Sequence, residues 1–409
     1  VIYKEIKKSH QNLKLIRILK ILKTIQVNYG GSMKSNLTAV AAALLSATMS
    51  TSVLAQEVET ERHTLSLETI SEGLNHPWGI AFLPSGDMLV TERSGTLNII
   101  TQDGQKTPIQ GTPEVVAKSQ GGLLDVNIDP DYADNGWVYI SYSEKDPKGG
   151  NGNSTAVMRG KIDGDKWTQG EVIFRQAPKY ESNAHFGSRL VFSPEGHLFI
   201  TLGERYSRMQ DAQTLDNHHG KIVRIWPDGS IPKDNPFVGN DGALDEIWSY
   251  GHRNVQGAAI HPDTGELWTI EHGPQGGDEV NIPKAGKNYG WPTITYGEDY
   301  GGGEIGIGTH KEGMEQPFYY WLPSIATAGS VFYTGDKFPK WKGDLLVTAL
   351  RGQTIARLDL EDGRVLHEER MLEDATSFRI RDIEQGPEGF LYILTDADSG
   401  QLIKLSPVK

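Results

Sequence analysis

From His76 onward, apolar residues come in runs of four to eight, broken at intervals by Pro, Asp and Gly. "HPWGIAFLPSGDMLVTERSGTLNII" is an apolar run, a turn at Pro84-Ser85-Gly86, a second run and a third. "GGLLDVNIDPDYADNGWVYISYSE" repeats the arrangement around Pro130, "SRLVFSPEGHLFITLGE" around Pro194 and "QGAAIHPDTGELWTIEHG" around Pro262. "GSVFYTGDKFPKWKGDLLVTALRGQTIARLDL" is a longer version turning near Pro339, and "RIRDIEQGPEGFLYILTDADSGQLIKLS" closes the series at Pro387. Runs of this length bounded by turn residues predict strands and hairpins, and no long helical period competes with them. One such unit exposes two hydrophobic sheet faces and cannot bury them alone, so neighbours must stack. Six copies predict an all-β, six-bladed β-propeller with long inter-blade insertions. A row of independent sandwiches is the alternative, but no Pro-, Ser- or charge-rich linker divides the chain.

The first 55 residues read differently. "MKSNLTAVAAALLSATMSTSVLAQ" starts at Met33 with a lysine, continues through an Ala/Leu-rich apolar stretch and ends in Val53-Leu54-Ala55 before Gln56. That is the order of a secretory signal peptide, and its apolar part is short for a membrane span. Residues 33–55 are therefore expected to be removed on export, to a periplasm, with no stable membrane insertion afterwards. The preceding residues 1–32 read as upstream sequence translated from a wrongly chosen start; the alternative is a basic amphipathic helix on a membrane. The domain proper is then 56–409.

Seven Lys/Arg and one Glu lie in residues 1–32, and Lys34 in the signal, so removing both takes the net charge from −13 to −20. Such an acidic protein is a poor partner for nucleic acid or anionic membrane and is compatible with calcium. The absence of cysteine excludes disulfides, zinc–thiolate sites and cysteine nucleophiles.

In a propeller the loops at one face converge over the axis, so residues flanking the repeated strands meet although far apart in sequence. Gln120 precedes the second unit, His185 and Arg189 the third, and His252, Arg253 and Asn254 the fourth. "EHGPQGGDEVNIPKAGKNYGWP" follows the fourth unit, Arg351 follows a strand of the fifth, and Arg379 and Arg381 precede the sixth. At a spacing of two, Arg379 and Arg381 share one side of a strand and call for anions, either local carboxylates or a polyanionic ligand. Gly273 and Pro274 offer carbonyls, and Asp278 and Glu279 carboxylates, which suit a hard cation, though without EF-hand spacing. Neither G-x-S-x-G nor H-E-x-x-H occurs, and no G-x-G-x-x-G opens a βαβ unit. The residues alone lead to an anionic cofactor, a cation and a histidine base. They do not identify the cofactor.

The set "QGGLLDV", "NAHFGSRLVF", "EIWSYGHRNVQG", "EHGPQGGDEVNIPKAGKNYGWP" and "RIRDIEQGPEGFLYILTD" resembles the soluble, pyrroloquinoline-quinone (PQQ)-dependent aldose sugar dehydrogenases of the glucose/sorbosone dehydrogenase family, from about His76 to Lys404. The resemblance implies oxidation of the C1 hydroxyl of an aldose to a lactone, with His185 as general base and hydride passing to the quinone. It implies that Gln120 lies beside cofactor and substrate. Arg253 and Asn254 would contact PQQ, Arg379 and Arg381 would hold its carboxylates, and Tyr300 and Arg351 would line the cofactor site. Gly273 and Pro274 would give carbonyls to a calcium ion touching PQQ, and Glu279 with the Tyr289 carbonyl would hold a second, structural calcium. The partners it implies are an aldose and an unidentified electron acceptor. Two positions depart from the pattern. Ala184 stands where glucose-specific members carry aspartate, which points to broader aldose use. Arg351 stands where lysine is common, keeping the charge but changing its shape. A calcium-dependent propeller lactonase and a non-catalytic ligand-binding propeller are the competing readings.

Overall fold

The structure, a computed structural model, describes residues 56–373 and 375–408. The expected signal peptide and the segment upstream of it lie outside the described residues. Among the described residues no helix is long and apolar enough to cross a membrane.

The chain enters through β1 (Gln56–Glu59) and β2 (Thr64–Leu74) and then lays down five four-stranded antiparallel sheets in succession. The first is β3 (Pro77–Phe82), β4 (Met88–Glu92), β5 (Leu97–Ile100) and β6 (Lys106–Ile109). The second is β7 (Leu123–Ile128), β8 (Val138–Lys145), β9 (Asn153–Asp163) and β10 (Lys166–Arg175). The third is β11 (Gly187–Phe192), β12 (Leu198–Leu202), β13 (Lys221–Ile225) and β14 (Ile247–Tyr250). The fourth is β15 (Val255–Ile260), β16 (Leu267–Glu271), β17 (Asp278–Asn281) and β18 (Tyr319–Trp321). The fifth is β19 (Thr327–Phe332), β20 (Leu345–Ala349), β21 (Ile355–Glu361) and β22 (Arg364–Met371). The sixth sheet joins the two ends of the chain: β23 (Ile380–Gln385), β24 (Leu391–Thr395) and β25 (Gly400–Pro407) are completed by β2, with β1 outside it. This is a six-bladed β-propeller whose blades begin at the six sequence repeats. The strand that closes the ring, β2, precedes the first repeat.

Every residue of β4, β12, β16, β20 and β24 is buried. Both faces of a blade are covered by its neighbours, so these strands read as continuous apolar runs rather than a polar–apolar alternation. The core accordingly lies between blades. Tyr139 and Val157 of the second blade pack with Leu190, Ile200 and Val223 of the third, and Leu394 and Leu402 of the sixth with Ile80 and Val90 of the first.

The six innermost strands β3, β7, β11, β15, β19 and β23 share one irregularity, a register shift against the second strand near their start. A bulge there turns the following side chain toward the axis. Asp125, Arg189, Gln256 and Asp382 lie at or beside these bulges. Together they plug the middle of the channel: Arg189 Nη1 donates to Asp125 Oδ1 (2.9 Å) and Asp382 Oδ2 (3.1 Å), and its Nε donates to the Gln256 carbonyl (3.0 Å). Its guanidinium lies 4.4 Å from the ring centroid of Trp78. Arg189, a neighbour of His185 in sequence, thus belongs to the plug.

Candidate functional site

Innermost strands start at one face of the propeller, and second strands, being antiparallel to them, end there. Residues just before the first and just after the second of each pair therefore gather at one mouth. Gln120 before β7, Arg379 and Arg381 at the start of β23, Arg93 after β4, His272 after β16 and Asp396 after β24 all line a cavity of about 330 Å3, with Trp78 and Gln256 at its floor.

His185 lies next to this cavity rather than in its lining, hydrogen-bonded to Gln120 of the wall, and is only 5% exposed. Its backbone has φ 54°, a left-handed conformation that costs free energy in a residue with a side chain. Three contacts hold it there. The His185 N–H donates to Gln120 Oε1 (2.8 Å), the neighbouring Gly187 N–H donates to Asn254 Oδ1 (3.1 Å), and buried Arg205 grips the loop from beneath. Arg205 donates to the carbonyls of Ser182 (2.5 Å), Ala184 (2.7 Å) and His185 (3.1 Å), and its guanidinium lies 3.7 Å from the centroid of the Phe186 ring. Gln120 and Asn254 thus secure His185, and Gln120 lines the cavity as well.

The imidazole Nδ1 lies 2.7 Å from Glu204 Oε2, and the Glu204 side chain is fully buried. A carboxylate accepts there, so Nδ1 carries the proton and Nε2 keeps a free lone pair. Burial and then the charge of Arg253 push the imidazole below its ordinary range, although Glu204 pulls it back up. A neutral base results. Glu204 was not singled out in the sequence, because an acid after a strand resembles a surface residue. Its position directly after β12, two residues past Leu202, was the available signal.

Cations dominate the remaining wall. Arg381 Nη2 and Arg379 Nη2 reach the same Asp396 oxygen at 2.9 and 3.4 Å, and Arg93 Nη2 lies 3.6 Å from the other. His76 Nδ1 adds a fourth contact to Asp396 at 2.7 Å. Burial would raise that carboxyl, but Arg381, His76 and Arg93 outweigh it and hold it well below the usual range. One carboxylate cannot satisfy three guanidiniums. The Nε groups of Arg93, Arg253 and Arg381 are buried without a partner among the described residues. His272 sits among them with Nε2 3.2 Å from Gln256 Oε1, an oxygen that also accepts from Arg381 Nη1 (2.8 Å). Burial, Arg253 and Arg381 keep His272 neutral, far below its usual range. Donors left over around a cavity are what a polycarboxylate ligand needs. The residues fit PQQ.

For a cation beside it the donors are fewer. Arg253 Nη1 donates to the carbonyls of His272 (3.0 Å) and Gly273 (2.8 Å), so the Gly273 oxygen is shared, and the Pro274 oxygen accepts no backbone hydrogen bond among the described residues. Asp278 accepts from the N–H groups of Gly273 and Ala326 and from Ser324 Oγ, which withdraws it from the ligand set. Deeper in the fourth blade, Glu279 lies against Glu271, and Asn281 Nδ2 bridges the two. Burial and then Glu271 drive the Glu279 carboxyl far above its usual range. Glu271 is buried and Glu279 half-buried, and two such acids in contact need a shared proton or a cation; the Tyr289 carbonyl, in the same blade, accepts no backbone hydrogen bond among the described residues. Two expected residues stand apart: Tyr300 is 59% exposed, and the Arg351 side chain is exposed while its neighbour Leu350 lines the cavity.

Comparison with known proteins agrees with this architecture. The family model for glucose/sorbosone dehydrogenase matches residues 74–404. The chain is 46% identical over 350 residues to the aldose sugar dehydrogenase YliI of Escherichia coli, spanning 84% of this chain and 93% of that one. The crystal structure of the soluble aldose sugar dehydrogenase from Escherichia coli in its apo-form superposes with a TM-score of 0.81 at 45% identity, covering 84% and 100% of the two chains. The PQQ-bound form of the aldose sugar dehydrogenase from Streptomyces coelicolor does so with a TM-score of 0.68 at 28% identity, covering 85% and 99%. The chain therefore belongs to the glucose/sorbosone dehydrogenase family.

Proposed function

We propose that the protein is an exported oxidoreductase that converts the C1 hydroxyl of aldose sugars to lactones with PQQ and calcium, passing electrons to an unidentified acceptor. The observation that carries this reading is the juxtaposition of a neutral histidine, held by a buried carboxylate, with a cavity whose guanidiniums lack enough anions. PQQ would supply the hydride acceptor, and calcium and Arg253 the positive charge beside it. Nε2 of His185 takes the proton of the C1 hydroxyl, and Glu204 stabilises the imidazolium that forms. Arg379 and Arg381 would hold the carboxylates of the cofactor, and Arg253 and Asn254 would contact it. Gln120 ties the base loop to the cavity wall, so a sugar placed between them is oriented by residues that also hold the base. Gly273 and Pro274 offer carbonyls to the cofactor's calcium, and Glu279 with the Tyr289 carbonyl to a structural one. Ala184 leaves the position before the base without a carboxylate, consistent with several aldoses as substrates.

The test is reconstitution. Purified apo-protein mixed with PQQ and calcium should reduce a redox dye in the presence of aldoses, and His185→Ala should bind PQQ yet lose about 10²–10⁴-fold in turnover. Lactone hydrolysis without PQQ, or full turnover in His185→Ala, overturns the assignment.

A further inference from the structure

The opposite mouth of the channel holds a second cavity of about 330 Å3, formed where the innermost strands end. The Asp125–Arg189–Asp382 plug separates it from the first. Its walls mix apolar side chains, Phe82, Ile128, Val191, Ile260 and Phe332, with the polar Asn127, Thr334 and Gln385. Its floor is charged. Asp125 and Arg189 line it; Asp125 is satisfied by Arg189 and the Leu190 N–H (2.7 Å), and Asp382, outside the lining, by Arg189 and the Ile80 N–H (3.2 Å). Two residues beyond Asp382 along β23, and so on the same face, Glu384 projects into the cavity. No ion pair and no side-chain hydrogen bond engages its carboxylate among the described residues. Burial raises all three carboxyls, and Asp382 and Asp125 add to the rise at Glu384; three acids sharing one guanidinium are short of positive charge, an arrangement that a cationic guest relieves. Ser330 points to the same conclusion. It is 6% exposed, lines this cavity, and its hydroxyl has no partner.

We propose that this distal cavity binds a protonated primary amine carried on a small apolar body. A hard metal ion asks for six or more oxygens, but those of Asn127 and Gln385 already accept from backbone N–H groups, and no group of three or more metal-binding side chains occurs among the described residues. An ammonium needs only a few acceptors, and Glu384 and Ser330 Oγ supply them while the hydrocarbon part lies against the walls.

Calorimetric titration of the full chain with benzylamine, and with benzyl alcohol as its neutral counterpart, tests the site. Benzylamine should bind saturably, one per chain, and at least about ten-fold more tightly than the alcohol, as expected for a charge-assisted contact. Glu384→Gln should remove that preference, Ser330→Ala should weaken amine binding a few-fold, and His185→Ala should leave it unchanged. Equal affinity for amine and alcohol, undiminished binding in Glu384→Gln, or no saturable binding at millimolar amine overturns the proposal. Amine affinity lost in His185→Ala would place the ligand in the other cavity and do the same. None of these readouts depends on sugar oxidation.

Discussion

At the scale of single residues the decisive contact is the one between His185 Nδ1 and Glu204. It fixes which ring nitrogen is free, and its charge opposes the lowering of the imidazole by burial and by Arg253. Glu204→Gln removes the charge while keeping the size. The base should then be harder to protonate and weaker, so the acid limb of kcat should move to lower pH while kcat falls about ten-fold or more. Wild-type enzyme should keep its base deprotonated to below pH 6.5, because the imidazole lies under its ordinary value. A pH–rate profile of both proteins checks the sign, since a merely misfolded variant would lose activity without moving its limb. His185, Gln120, Arg253 and Asn254 were legible in the sequence because each flanks a repeated strand. Glu204, His272 and Asp396 flank strands too, but an acid or a histidine there has bland uses on a surface, and only a partner in space separates the cases.

At the scale of elements, the innermost strands approach one another so closely that glycine becomes necessary. A Cβ on Gly329 would lie 2.0 Å from Asp382 Oδ1 and 2.8 Å from the Asp382 Cα, and one on Gly79 would lie 2.7 Å from Asp125 Oδ1. Gly329→Ala should therefore push the fifth blade off the sixth at the plug, destabilising by about 1–3 kcal/mol as overpacked sites do. A lowered urea midpoint relative to wild type is the expected result, and an unchanged midpoint would show that the strand spacing yields freely. The Pro/Asp/Gly turns made the first two strands of every blade readable. The outer strands were less so, because β13, β14 and β18 are short and set off by insertions without a repeated turn. β2 was unreadable for another reason. "TLSLETISEGL" pairs locally only with the four-residue β1, and its partner within the blade, β25, begins over 300 residues later.

That pairing governs the whole molecule. A ring of blades is only as closed as its seam, and here the seam is β2 on β25, with Ser66 opposite Ser406 and Leu67 opposite Leu405. Six interfaces share the core, so opening one exposes Leu402, Leu405 and their neighbours and leaves two unpaired strand edges. Unfolding should begin there, because no local contact holds the termini together once the ladder parts. The chain has no cysteine, so a disulfide can be placed at the seam without competitors. Ser66 and Ser406 are partly exposed, make no side-chain hydrogen bond among the described residues, and face each other across an antiparallel pair, which suits disulfide reach. Linking Ser66→Cys to Ser406→Cys closes a loop of nearly the whole propeller. Chain entropy alone then predicts up to about 5–6 kcal/mol of stabilisation. The oxidised double variant should melt several degrees above its own reduced form, and the reduced form should match wild type. Equal melting of the two forms would mean that the seam is still shut when the protein unfolds, and that the ring breaks at another blade interface.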